Sequence, residues 1–292
     1  MAPLCSIIIP TLGRDSLYPL VFELLKQRTA FSFDIVLLPQ VPLKEELLQH
    51  PQVRLFYEPP GKGFAYYRNK GVEKSTGAIL AFIDDDELPL NPDWLSTLTS
   101  PIREGHEAAV TAGYRIALGQ GYLTDCGSLL GFPGGGAVGF ETMWPLGGGV
   151  HTDHICTGNL ALRRETLVDA GGFDPELRSG NEDVELGERL SRGGIRIRYL
   201  PEATVSHVAR RGYLNFLRWN RLRGISAAGY LKNRDGRHKV TGRLSSSRRI
   251  LAKVAAERPR YLPGVLFMMF SQYLAQTVGY LSAKGEQKEA PA

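Results

Sequence analysis

The stretch GAILAFIDDDELP (77–89) decides how the rest of the chain is read. Gly77 to Ile83 carry no polar side chain, which suits a strand buried on both faces of a sheet. Asp84, Asp85 and Asp86 follow at once. Three carboxylates at the end of a buried strand repel one another unless a cation sits among them. Mg2+ and Mn2+ prefer such oxygens and often share their coordination sphere with phosphates. The plain alternative is an acidic turn leading into the next helix, NPDWL (91–95).

Outward from that strand, apolar runs alternate with helical spacing. CSIIIPTLGR (5–14) reads as a strand and turn, and DSLYPLVFELLKQRT (15–29) as a helix with Leu17, Leu20, Leu24 and Leu25 on one side. FDIVLLPQ (33–40) and QVRLFYEP (52–59) read as strands, with a helix at LKEELLQH (43–50) between them. GKGFAYYRNKGVEKST (61–76) is a loop entering a helix, and NPDWLSTLTSPIR (91–103) a further helix. EAAVTAGYRIA (107–117) is a strand, while NLALRRETLVDAGGF (159–173) and NEDVELGERLSRGG (181–194) read as helices. IRIRYLPEATVSH (195–207) is strand and turn, and from Tyr213 the pattern is helical. Such alternation predicts an α/β fold, a mostly parallel sheet covered by helices on both faces, with ligands at the carboxyl ends of its strands.

The 292 residues are enough for one large domain or two small ones. A hydrophobic fraction of 43% and a charged fraction of 22% exclude a disordered chain, a collagen and a coiled coil. Cys5, Cys126 and Cys156 form neither a disulfide framework nor a zinc pattern, so a reducing compartment is expected. The opening MAPLCSIIIPTLGRD has no basic lead and its apolar run stops at Pro10, which predicts a cytoplasmic protein.

Charge divides the chain near residue 208. From Ala209 to Arg260 there are 15 Lys and Arg against Asp235 and Glu257, a balance of +13 within a total of +5. A body over 1–208 and a helical extension over 209–292 are expected. The basic stretch is either a solvated helical face or a surface for phosphates, nucleic acid or an anionic membrane. The segment 261–281 carries no charge and nears the ~20 residues of a membrane span. Its Pro263, Gly264, Ser271, Gln272 and Gln276 favour instead a packed or interfacial helix. Residues 119–158 are rich in Gly and poor in charge, a pattern that predicts a mobile substrate-side segment.

Other polar groups are ambiguous one by one. Glu182 and Asp183 open a helix, where the dipole alone stabilises them, or where one serves as a general base. Arg68 and Asn69 either line a surface helix or bring a guanidinium that clamps phosphate. His207 follows a short strand and by itself reads as a packed residue. His151 and His154 lie three apart, but nothing else supports a metal pair there.

Their order is more specific. SIIIPT, then Ala65, Arg68, Asn69 and Gly71, then GAILAFIDDDELP, TGNLALRRETLVDAGGFD, NEDVELGERL and IRIRYLPEATVSH, occur in the sequence of a known family. The chain resembles the inverting family 2 nucleotide-sugar glycosyltransferases of GT-A fold over roughly residues 4–210. The resemblance implies a GT-A-like, Rossmann-type sheet with a nucleotide-sugar-binding half (1–118) and an acceptor-side half (119–208). It implies Asp84 and Asp86 as the ends of a DxD motif: Asp86, Asp84 and His207 around Mn2+ or Mg2+, and Asp84 and Asp85 toward the donor. Asp183 would be the general base, with Glu182 beside it. Pro10, Thr11, Arg14, Gln40, Arg68, Asn69, Gly158 and Asn159 would line the nucleotide and sugar.

One departure concerns the base. Pro39 and Gln40 stand where the family has an acidic residue that reads the nucleotide. A UDP-sugar is the first expectation by family frequency, with GDP- and dTDP-sugars as alternatives. A glycan or lipid-linked acceptor, peripheral contact with the inner face of a membrane, and a homodimer are the partners considered; nucleic acid is not expected. Two rivals remain. A nucleotidyltransferase needs a richer Gly and Arg/Lys loop than PTLGRDS, and a basic binding module leaves the carboxylates of the body unexplained.

Overall fold

The computed structural model describes residues 3–44, 50–130, 136–137, 142–143, 149–152, 154–207, 211–231 and 237–289. The chain divides into two units. The first comprises residues 1–115, 143–175 and 182–207, and the second 116–142, 176–181 and 208–292. Residues 116–142 and 176–181 thus group with the C-terminal helices.

The first unit is built on an eight-stranded sheet. Its strands, in chain order, are Cys5–Thr11 (β1), Phe33–Pro39 (β2), Val53–Leu55 (β3), Ile79–Ile83 (β4), Ala109–Thr111 (β6), His151–Thr152 (β10), Asn159–Arg163 (β11) and Ile197–Tyr199 (β12). Glu87–Pro89 (β5), Tyr114–Arg115 (β7) and Val205–His207 (β13) make a three-stranded sheet. Gly136–Ala137 (β8) and Thr142–Met143 (β9) pair as a short ribbon. The large sheet runs β10-β12-β6-β11-β4-β1-β2-β3. β3, β2, β1 and β4 are mutually parallel, whereas β11 lies antiparallel between β4 and β6.

Helices Leu17–Leu25 (α1), Phe64–Lys74 (α2), Trp94–Arg103 (α3), Arg164–Asp169 (α5) and Glu182–Arg192 (α6) belong to this unit. The strands' continuous apolar runs follow from burial on both faces. Ile7 and Ile9 of β1 pack with Leu17, Leu20 and Leu24 of α1 and Trp94 and Leu98 of α3. Ile8, Leu80 and Phe82 point the other way, toward Phe173, Leu186 and Leu190.

NLALR is the main departure from the helical expectation. It is the strand β11, and only Arg164–Asp169 is helical. Asn159 to Leu162 are buried, so tertiary pairing with β4 and β6 overrides local helix propensity. Most of the expected helix 43–50 lies outside the described residues, as does much of 131–148 in the Gly-rich segment. That segment does hold Tyr122–Leu129 (α4).

The second unit contains α4, Tyr213–Leu231 (α7), Arg237–Glu257 (α8) and Leu262–Glu289 (α9). α7 and α9 touch backbone to backbone: a Cβ on Gly224 would lie 2.0 Å from the Gln276 carbonyl oxygen, and one on Gly279 2.0 Å from that of Arg221. Gln276 donates to Asn220 Oδ1 at 3.0 Å within this seam. Tyr261 Oη donates to Asp125 Oδ2 at 3.0 Å, fixing α4 to the start of α9. Among the described residues, no helix is long and apolar enough to cross a membrane.

Candidate active site

The carboxyl ends of the parallel strands assemble the site, as an open α/β sheet requires. Thr11 ends β1 and pairs in register with Pro39 at the end of β2, and the Gln40 amide donates to the Thr11 carbonyl at 3.1 Å. Pro10, Thr11 and Gln40 therefore share one edge. β4 ends beside them and delivers the three aspartates.

Each aspartate has a different environment. Asp85 turns inward: its Oδ2 accepts from Thr11 Oγ1 at 2.7 Å and from the Leu12 amide at 3.2 Å, and its Oδ1 from Arg14 at 2.9 Å. Burial raises its pKa and outweighs the opposing pull of Arg14 and Thr11. Asp86 shares Arg14 at 3.0 Å and stands 3.7 Å from His207 Nε2 on β13. Asp84 is the most open, with its side chain 38% exposed, and accepts from Arg68 Nη2 at 2.9 Å.

Arg68 is the unexpected centre. Its guanidinium is 2% exposed and bonds Asp84 with one nitrogen and Glu182 Oε1 with the other, at 2.6 Å. Burial lowers its pKa, but Asp84, Glu182 and Asp183 more than compensate and hold it above the ordinary value. Arg68 is therefore an internal tie between two acidic motifs, not the open phosphate clamp expected from sequence.

Glu182 and Asp183 open α6. Glu182 is buried, and burial pushes its carboxyl up to about 7, with Asp183 adding to the rise and Arg68 opposing it. Asp183 is half-buried and accepts the Val184 amide at 2.8 Å. Of the pair, Glu182 bonds Arg68, and Asp183 is the more exposed.

Asn69 and Asn159 serve the scaffold rather than the open edge. Asn69 donates to the Phe173 carbonyl at 2.8 Å and accepts the Phe173 amide at 2.9 Å. Asn159 is fully buried, donating to the Gly113 and Ala203 carbonyls and accepting from Trp94 Nε1. The Asn159 amide is spent on these bonds, whereas Asn69 is half-buried and keeps a second N–H. Gly158 has a steric role: a Cβ there would lie 2.3 Å from Glu87 Oε1.

Glu87 is the residue that sequence reading passed over. It is buried, its Oε2 accepts the Asp84 amide at 3.2 Å, and its own amide donates to the Asp84 carbonyl at 3.2 Å. It thus closes the aspartate turn from below. Burial, then Asp84 and Asp86, hold its pKa well above the ordinary carboxylate range. The fourth acid in DDDELP was the available signal.

Among the described residues, no three His, Cys, Asp or Glu side chains are gathered so as to hold a metal ion. Asp86 and His207, 3.7 Å apart, bring two such side chains together rather than three. Mg2+ and Mn2+ are commonly held by one or two protein carboxylates and completed by substrate phosphates and water. His151, by contrast, is paired with Glu107 at 2.7 Å, as a packed residue would be.

A mostly parallel sheet that ends in an aspartate turn, facing a second acidic motif on a helix, defines the class as a GT-A glycosyltransferase fold. Residues 6–124 match the model of the family described as Glycosyl transferase family 2. It is 28% identical over 215 residues to the O-antigen biosynthesis protein RfbC of Myxococcus xanthus, covering 67% of this chain and 16% of that one. It is 29% identical over 186 residues to the pre-mycofactocin glycosyltransferase of Mycobacterium tuberculosis, covering 61% of this chain and 37% of that one. The chain therefore spans well under half the length of these two relatives. The mannosyltransferase PcManGT of Pyrobaculum calidifontis, solved with GDP-Man and Mn2+, shares the fold with a TM-score of 0.58 at 18% identity, covering 99% of this chain and 81% of that one.

Proposed function

We propose that this protein transfers a sugar, with inversion, from a nucleoside-diphosphate sugar to an acceptor hydroxyl in the synthesis of a polysaccharide or glycolipid. One observation carries the reading. Arg68 bonds both Asp84 and Glu182, which brings the aspartate turn and the helix-opening Glu182–Asp183 pair to one space. The names of the relatives and the nucleotide sugar in the PcManGT structure support the substrate class.

The roles follow from the environments. Pro10, Thr11 and Gln40 line the strand edge where the nucleotide would rest. Asp86 with His207, and Asp84 beside them, would hold Mn2+ or Mg2+, which would neutralise charge on the leaving diphosphate. Arg14 anchors Asp85 and Asp86, keeping the turn in place. Asp183 takes the proton of the acceptor hydroxyl, making it a competent nucleophile. A base on the face opposite the leaving group gives inversion in one displacement.

A donor screen tests this reading. One of UDP-, GDP- or dTDP-sugars with Mn2+ should raise the unfolding temperature, because a ligand that binds only the folded state stabilises it by mass action. A protein unmoved by every nucleotide sugar, with or without metal, would overturn it.

A further inference from the structure

The last helix, α9, turns several polar groups inward: Ser271, Gln272 and Gln276 are buried beside Val265 and Met268. Gln276 bonds Asn220, and Ser271 bonds Tyr213 at 2.8 Å. Six large apolar residues face outward. Leu266 is 48% exposed, Phe267 47%, Phe270 68%, Leu274 55%, Val278 46% and Leu281 60%. At 100° per residue these six fall on one stripe about 120° wide, with no charge between Leu262 and Ala283. An exposed apolar surface of this extent marks an interaction site.

The surroundings choose the occupant. α7, seated against α9 at Gly224 and Gly279, exposes Leu214, Arg218, Arg221 and Leu222 on its own outer face. Arg248, Arg249, Arg260 and Lys284 are also exposed in this unit. The segment 209–260 carries +13. Nucleic acid would meet the arginines but not the Leu and Phe stripe. A second copy would cover the stripe but bring two +13 segments together. An anionic lipid surface satisfies both, since headgroups pair with the arginines while the stripe enters the acyl boundary. No described helix is long and apolar enough to span, so the contact is peripheral.

We infer that the outward stripe of α9 is an interfacial membrane-binding face specific for anionic lipid. It does not depend on the sugar-transfer reading. The stripe lies parallel to the bilayer, and the exposed arginines confer the preference for negative charge.

Vesicle co-sedimentation of the full chain tests it. The protein should pellet with phosphatidylglycerol–phosphatidylcholine vesicles, much less with phosphatidylcholine alone, and less at high salt. The double variant Phe270→Ser/Leu274→Ser should lose more than about tenfold in partitioning, as removal of two buried apolar side chains requires. Both positions are exposed, so its thermal unfolding should match wild type. Two results would overturn the inference: wild type left in the supernatant with anionic vesicles, or the double variant partitioning as wild type does. A dimer in solution that the double variant dissociates, without vesicle binding, would assign the stripe to a second copy and also overturn it.

Discussion

Arg68 donates to Glu182 Oε1 across 2.6 Å, with both side chains sealed from water. The same guanidinium reaches Asp84, and the rings of Phe64 and Phe173 stand 5.7 and 5.9 Å from it. A charge buried this deeply is tolerated only while its partners remain.

Arg68→Met should therefore destabilise the fold by about 3–5 kcal/mol, the usual consequence of leaving one member of a buried ion pair alone. Urea denaturation measures it. Stability within about 0.5 kcal/mol of wild type would show that Glu182 finds another partner or takes up a proton without penalty.

Stability should also depend on pH through Glu182. Its carboxyl titrates near 4.5 ordinarily and at about 7 in the folded protein. Between those values the folded state binds more protons than the unfolded one, so stability falls as pH rises from about 4.5 through about 7. Glu182→Gln should flatten that slope, read from denaturation midpoints across the window. An unchanged slope would move the proton to another group.

Asp183→Asn should lower kcat by at least ~100-fold, the usual contribution of a general base, while donor affinity stays near wild type. Steady-state kinetics and a donor titration separate the two effects. Near-normal turnover would place the base elsewhere.

Gly158→Ala should disturb the aspartate turn through Glu87. The added Cβ would lie 2.3 Å from a buried carboxylate oxygen and 2.6 Å from the other. Overpacking of this kind costs about 1–3 kcal/mol. The double variant Gly158→Ala/Glu87→Ala should recover part of that loss, which a thermodynamic cycle detects.

Much of this was legible in the sequence, and the limits have physical causes. The runs SIIIP, FDIVLLP and ILAFI read as strands buried on both faces, and DDD follows one of them at the carboxyl edge of the sheet. Glu182–Asp183 showed as a helix-opening pair from its apolar spacing at Val184, Leu186 and Leu190. NLALR did not declare itself, because only Leu160 to Leu162 are apolar, too short a run to tell helix from strand, and its neighbours β4 and β6 decide. The roles of Arg68, Asn69 and Asn159 were hidden for the same reason: their partners are Glu182, Phe173, Gly113 and Ala203, distant in sequence. Likewise, Ser271, Gln272 and Gln276 spoke in sequence for a packed or interfacial helix rather than a span, and only the fold shows that they turn inward.

The most direct measurement is a calorimetric titration of nucleoside diphosphate into wild type and Asp86→Asn, each with Mn2+ and with excess EDTA. Wild type is expected to bind with Mn2+ and to lose most of that affinity in EDTA. Asp86→Asn should bind at least about tenfold more weakly with Mn2+, a loss of about 1.4 kcal/mol, while unfolding at the wild-type temperature. Equal binding by both proteins, unchanged by EDTA, would contradict a metal-assisted nucleotide site at the aspartate turn.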